Sequence, residues 1–143
     1  RMNLVLIGDP GIGKSHLAKA LCYDAIRQGH TTCFLTAFDL LAKLKKARFV
    51  DSKINFYAKA IRVLCIDEFG YVYHDRSDTD LLYHVISSRC ESNPTLLTSN
   101  LQPKEWGKIL PGSAASAILD RLSFNGTFLS WDGPSYRIKT RRK

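Results

Sequence analysis

Apolar and polar positions fall in alternating blocks along this chain of 143 residues. Asn3-Leu4-Val5-Leu6-Ile7 reads as a strand buried on both faces. From Ser15 to Gln28 the spacing changes to three and four residues. Leu17, Leu21 and Ala25 share a stripe there, with Ala18, Cys22 and Ile26 beside it, which predicts a helix packed on a sheet and ended by Gly29. Thr31 to Leu35 is β-branched and apolar, a second strand. Ala37 to Ala47 is again helical, with Phe38, Leu41 and Leu44 on one face and Lys43, Lys45 and Lys46 in water. Asp51 to Arg62 holds a short helix around Phe56 and Tyr57. Arg62-Val63-Leu64-Cys65-Ile66-Asp67 has the profile of a central parallel strand ending in acid. A helix from Asp78 to Arg89 turns Leu81, Leu82, Val85 and Ile86 inward. Thr95 to Ser99 is a fourth strand, Ser113 to Leu122 a short helix, and Thr127 to Ser130 a fifth strand. Strands alternating with helices predict a single α/β domain, a five-stranded, mostly parallel sheet flanked by helices, with its ligand beyond the carboxyl ends of the strands.

The turn between the first strand and the first helix carries the chemistry. Gly8-Asp9-Pro10-Gly11-Ile12-Gly13-Lys14-Ser15 fits the phosphate-loop pattern of Gly, four residues, Gly, Lys and Ser or Thr. Gly8, Gly11 and Gly13 let successive N–H groups point at phosphate oxygens, Lys14 offers a compact positive charge to the β- and γ-phosphates, and the Ser15 hydroxyl can ligate Mg²⁺. The helix that follows aims its positive end at the same anion. ATP with Mg²⁺ is therefore the expected cofactor, and the loop from Gly8 to Ser15 its site.

Asp67 and Glu68 fall just past the end of the central strand, on the sheet edge that carries the phosphate loop. Asp67 suits the Mg²⁺ coordination shell and Glu68 the activation of water, which favours hydrolysis of ATP to ADP and phosphate over binding alone. Thr98-Ser99-Asn100 closes the next strand. If the two strands are neighbours, Asn100 sits beside Glu68, where an amide can donate to the γ-phosphate and accept from the attacking water.

Charge and cysteine content narrow the setting. A formal charge of +8 and a pI near 9.5 favour a polyanionic partner, nucleic acid above all. No apolar run spans a bilayer and no leader is evident, so a soluble cytoplasmic protein with no membrane partner is expected. Cys22, Cys33, Cys65 and Cys90, like His16, His30, His74 and His84, are dispersed without the spacing of a zinc site. Arg1 and Met2 lead straight into the first strand, which suggests a fragment of a longer protein.

Together these segments resemble the IstB/DnaC group of AAA+ ATPases. The resemblance is carried by the phosphate loop with His16-Leu17-Ala18, Ile66-Asp67-Glu68-Phe69-Gly70-Tyr71, Leu97-Thr98-Ser99-Asn100-Leu101, Glu105-Trp106, Ala117 to Leu122, and Gly133-Pro134-Ser135-Tyr136-Arg137. It implies an AAA+ core over residues 1–143, with the N-terminal domain of the full-length protein absent and no C-terminal lid. Lys14 and Ser15 then fall on Walker A, with His16 following it, Asp67 and Glu68 on Walker B, and Asn100 on sensor 1. Arg121 falls on an arginine finger that reaches a neighbouring subunit's nucleotide, and Arg137 on a C-terminal arginine that contacts nucleotide. The implied partners are DNA, other copies of the chain with nucleotide at their interface, and a transposase, or a replicative helicase in the DnaC-like alternative.

Lys43, Lys45, Lys46, Arg48 and Lys53 cluster around the second helix and the loop after it, and in this group that region faces DNA. A solvated helix face is the plainer reading of the same charges. Two further functions share the phosphate loop. A small-molecule kinase would need an arginine-rich lid and an acceptor pocket, neither of which is evident, and a nucleotide-binding scaffold without turnover is opposed by Glu68.

Overall fold

The computed structural model describes residues 2–72 and 74–135. Five strands, β1 (Asn3–Ile7), β2 (Thr32–Thr36), β3 (Val63–Phe69), β4 (Thr95–Ser99) and β5 (Gly126–Ser130), form one sheet in the order β2-β3-β4-β1-β5. Among the described residues every neighbouring pair is parallel, as the sequence predicts for a βα-alternating sheet. The connections are α1 (Lys14–Arg27), α2 (Ala37–Lys46), α3 (Val50–Asn55), α4 (Arg76–Arg89) and α5 (Ala114–Ser123). A wide π-type turn, Phe56–Ala60, continues α3, and a 3-10 helix, Pro103–Lys108, follows β4.

The two faces of the sheet are covered unequally. On one, Leu40, Leu41 and Leu44 of α2, Leu82, Val85 and Ile86 of α4, and Ile118 and Leu122 of α5 pack with Val5, Leu64, Ile66, Leu97 and Trp106. On the other, among the described residues, only α1 contributes buried helical side chains, Ala18 and Cys22, over Leu6, Cys65 and Leu96. A single helix cannot bury both flanks of its apolar stripe, and this corrects the sequence-based inward set for α1. Leu17, Leu21 and Ile26 are exposed, and the narrow seam is Lys14, Ala18 and Cys22. Phe38 likewise lies outside: α2 buries Ala37, Leu40, Leu41 and Leu44, and Phe38 is 70% exposed. All four cysteines are free, with Cys22 and Cys65 buried.

Arg89 is the largest polar group in the interior. It is 0% exposed and donates to the carbonyls of Tyr57, Ile61, Arg62 and Pro94 and to Thr95 Oγ1. One guanidinium thus closes the chain after the π-type turn onto the start of β4. Burial pulls its pKa down to about 10, so it remains charged at neutral pH. No helix of the described residues is long and apolar enough to cross a membrane.

Candidate nucleotide site

The phosphate loop occupies the turn at the carboxyl end of β1. Gly8 N–H donates to the Ser99 carbonyl at 3.2 Å, which ties the loop's first residue to the end of β4. Gly11 (φ 82°) and Gly13 (φ 101°) both lie in the left-handed region that a Cβ disfavours. At Gly11 there is a second reason for glycine, since a Cβ there would strike the Ser135 hydroxyl. Gly13 caps α1 without a side-chain acceptor and no acid stands in the first turn, so the positive helix end is left for an anion. Lys14 is buried, and its Nζ donates to the Asp9 carbonyl at 2.7 Å.

Two carboxylates reach the loop through an irregularity in β3. Ile66 pairs with Leu97 and Phe69 with Ser99, so β3 carries one more residue than β4 over this stretch. Asp67 and Glu68 therefore lie at a bulge inside β3, not past its end as the sequence suggests. Glu68 takes φ 55°, and the two neighbours part company: Asp67 is buried and Glu68 exposed. Bulges re-aim side chains in this way beside functional sites. Thr98 holds the bulge. Its hydroxyl donates to Asp67 Oδ1 and accepts the Glu68 N–H at 3.0 Å. Ser15 Oγ donates to the same carboxylate, at 2.9 Å to Oδ1 and 3.1 Å to Oδ2.

A cavity of about 720 Å³ opens over these groups. Its walls are the loop from Pro10 through Gly11, Ile12, Gly13, Lys14 and Ser15 to His16, together with Glu68, Tyr71, Thr98 and Asn100. The size and the mix of backbone amides with a few charged groups suit a nucleotide. Gly8 and Asp9 stand behind the wall, where Gly8 packs on Ile12 and Trp131 and Asp9 supplies its carbonyl to Lys14. Thr98 and Tyr71 were given no role by the sequence. For Thr98 the available signal was a polar side chain at the end of the strand beside Asp67.

Ser15 Oγ on the cavity wall and the Asp67 carboxylate hydrogen-bonded behind it are adjacent hard oxygen donors, the type of set that Mg²⁺ accepts alongside phosphate oxygens. The residues present fit that ion.

Arg121 is not near this cavity. It belongs to the last turn of α5, and its carbonyl accepts from Asn3 Nδ2 at 3.5 Å, at the end of β1 opposite the phosphate loop. Asn3 is buried, donates also to the Leu122 and Phe124 carbonyls, and accepts the Thr95 N–H at 2.9 Å. A hydrogen bond with Tyr83 of α4 raises the pKa of Arg121 and lowers that of the phenol. Arg137 lies outside the described residues.

Of the basic cluster, Lys43, Lys46, Arg48 and Lys53 line one open groove between α2 and α3. Lys45 does not. Its ammonium is paired with Asp78 of α4, which raises its pKa.

The fold has counterparts among known proteins. The chain is similar to the crystal structure of DnaI (TM-score 0.78, 21% identity, 94% of this chain and 72% of that one). It is also similar to AMPPCP-bound DnaA from Aquifex aeolicus (TM-score 0.77, 16% identity, 99% and 44%). At those identities the likeness shows a shared AAA+ P-loop fold. Sequence relatives are nearer. The ATP-binding protein assigned to insertion sequence IS5376 of Geobacillus stearothermophilus is 40% identical over 98% of this chain and 57% of its own length. The one assigned to insertion sequence IS21 of Pseudomonas aeruginosa is 37% identical over 99% and 54%. The chain spans about half the length of the curated relatives it matches. The family model described as IstB-like ATP binding protein matches residues 1–143, and the chain belongs to that family.

Proposed function

We propose that this chain is the Mg²⁺-dependent ATP-hydrolysing core of a DNA-remodelling helper that assembles on DNA and serves a transposase. The observation that carries the reading is that Ser15, Glu68 and Asn100 line one cavity with the phosphate loop, with Asp67 hydrogen-bonded to Ser15 directly behind them. Lys14 and the loop amides hold the β- and γ-phosphates, and Gly11 and Gly13 provide the backbone shape for it. Ser15 and Asp67 would hold Mg²⁺, which when bound neutralises charge on the phosphate oxygens. Glu68, turned out of the sheet by the bulge, takes the proton of the attacking water, and Asn100 positions that water.

Arg121 sits at the far edge of the sheet, so it can serve only the nucleotide of another copy. A guanidinium delivered in this way accelerates phosphoryl transfer by about 10³- to 10⁵-fold. The isolated core is then a slow ATPase that assembly, and DNA that promotes assembly, speed up. The names of the relatives, which belong to insertion sequences, favour a transposase over a replicative helicase as the partner.

The test is ATP turnover with and without DNA. Glu68→Gln is expected to bind ATP and abolish turnover, and Arg121→Ala to keep the basal rate and lose stimulation. Mixing the two variants should restore part of the stimulated rate, since each supplies what the other lacks across one interface. If both variants hydrolyse ATP like the parent in the presence of DNA, the assigned roles are wrong.

A further inference from the structure

The groove between α2 and α3 holds more than cations. It encloses about 570 Å³ and is lined by Lys43, Lys46, Arg48, Phe49, Lys53 and Phe56, with Ala47 and Ser52 between them and no carboxylate on its wall. Both rings stand in water: Phe49 is 68% exposed and Phe56 45%. Fully burying such a side chain is worth about 1.5–3 kcal/mol, of which the fold forgoes the larger part at Phe49 and roughly half at Phe56. Phe49 also occupies the N-cap of α3, where no side-chain hydrogen bond is made and where Ser, Thr, Asp or Asn would stabilise the helix by about 1 kcal/mol. Each ring is attended by a cation, Arg48 at 5.4 Å from the Phe49 centroid and Lys53 at 5.4 Å from that of Phe56.

Phosphate contact alone has no use for exposed aromatic rings, because a duplex keeps its base faces stacked on one another. Rings interleaved with cations are what a strand with free base faces requires: the bases stack on the rings and the phosphates run along the charges. We propose that this groove binds single-stranded or locally unpaired DNA, with bases stacked on Phe49 and Phe56 and Lys43, Lys46, Arg48 and Lys53 on the flanking phosphates. The proposal rests on the DNA reading above and adds to it the form of DNA selected. It fits a remodelling role, since a site that prefers unstacked bases stabilises a distorted duplex over a regular one.

Fluorescence anisotropy with labelled oligo(dT) and with a duplex of equal length, each titrated at several salt concentrations, tests it. The parent is expected to bind oligo(dT) more tightly than the duplex. Phe49→Ala and Phe56→Ala should each weaken oligo(dT) binding by about 5- to 150-fold and leave duplex binding within about twofold. Phe49→Leu, which keeps apolar bulk without a π face, should behave like Phe49→Ala. Thermal melts of the Phe49 variants should match the parent, while Phe56→Ala, which also loses the edge-on contact with the buried Tyr57 ring at 5.2 Å, should melt somewhat lower and is compared with the parent well below its midpoint. Lys43→Ala with Lys46→Ala should weaken both DNAs and flatten the salt dependence of oligo(dT) binding by a slope of about 1.4. If the Phe variants lose neither DNA, or lose both equally, stacking is refuted while the lysine result stands. If the lysine pair changes neither affinity nor slope, the DNA reading itself fails and the proposal falls with it.

Discussion

Thr98→Val changes little in shape and removes one hydroxyl that serves both carboxylate-bearing residues. The lost donation to a charged acceptor is worth about 1.5–3 kcal/mol, and the Glu68 N–H left without its acceptor about 1 more. Asp67 keeps Ser15 as a donor, so the sum lies toward the lower end, about 2.5–3 kcal/mol. That is a large share of a domain's usual 5–15 kcal/mol. The effect on turnover should exceed the effect on stability. A non-glycine residue at positive φ costs about 1–2 kcal/mol, and the Thr98 bond is what the structure shows holding Glu68 there. Released from it, the bulge relaxes and the carboxylate shifts, and a displacement of about 1 Å at a reacting group costs about 100-fold in rate. Urea denaturation gives the stability change, and steady-state ATP hydrolysis with a separate nucleotide-binding titration gives the split between rate and affinity. Thr98→Ser keeps the hydroxyl and should retain most of both. Thr98→Val with stability within about 0.5 kcal/mol of the parent and an unchanged rate would refute the reasoning.

Other consequences can be measured on the same preparations. Arg89→Met leaves buried carbonyls without a donor and is expected to cost about 3–5 kcal/mol in urea unfolding, while Arg89→Lys, with fewer donors in a different geometry, recovers only part. His74 is 2% exposed, and burial holds its pKa below the ordinary value, against the opposing pull of Asp78. As pH falls through about 6.5 the unfolded chain takes up that proton first, so stability drops by up to about 1.4 kcal/mol per pH unit. His74→Leu should flatten the melting temperature between neutral and mildly acid pH relative to the parent. Gly8→Ala drives a Cβ into Ile12 and the Trp131 carbonyl, so melting temperature and ATP affinity should both fall. Gly13→Ala meets no atom and strains only the backbone, so it should lower ATP affinity with a stability loss of about 1–2 kcal/mol.

The strands and the phosphate loop were legible in the sequence because their signals are local: continuous apolar runs, and glycines at fixed intervals before a lysine. β1 and β4 fall on their predicted residues without a shift. What escaped depends on partners distant in the chain. The bulge at Asp67 and Glu68 exists only because β3 and β4 pair out of step, and Thr98 gains its role from that mismatch. The periodicity of α1 shows an apolar stripe, but not that one helix must lie across the sheet and leave Leu17 and Leu21 at its rim. Phe38 misled for a related reason: its spacing from Leu41 fits a buried face, yet that face is already filled by Leu40 and Leu44. The division within the basic cluster was also invisible, since Lys45 differs from Lys43 and Lys46 only in facing Asp78.

Asn3 fastens the end of α5 to the first residue of a five-residue strand whose last residue opens into the phosphate loop. β1 thereby acts as a ruler of about 13 Å between the edge that offers Arg121 and the edge that receives a nucleotide. In any array where one copy's arginine serves the next copy's ATP, that strand fixes the separation, within each copy, between the arginine it gives and the nucleotide it holds, because its neighbours on both sides hold it in register. Adjustment between copies must then come from the interfaces, and the domain itself passes on a constant step.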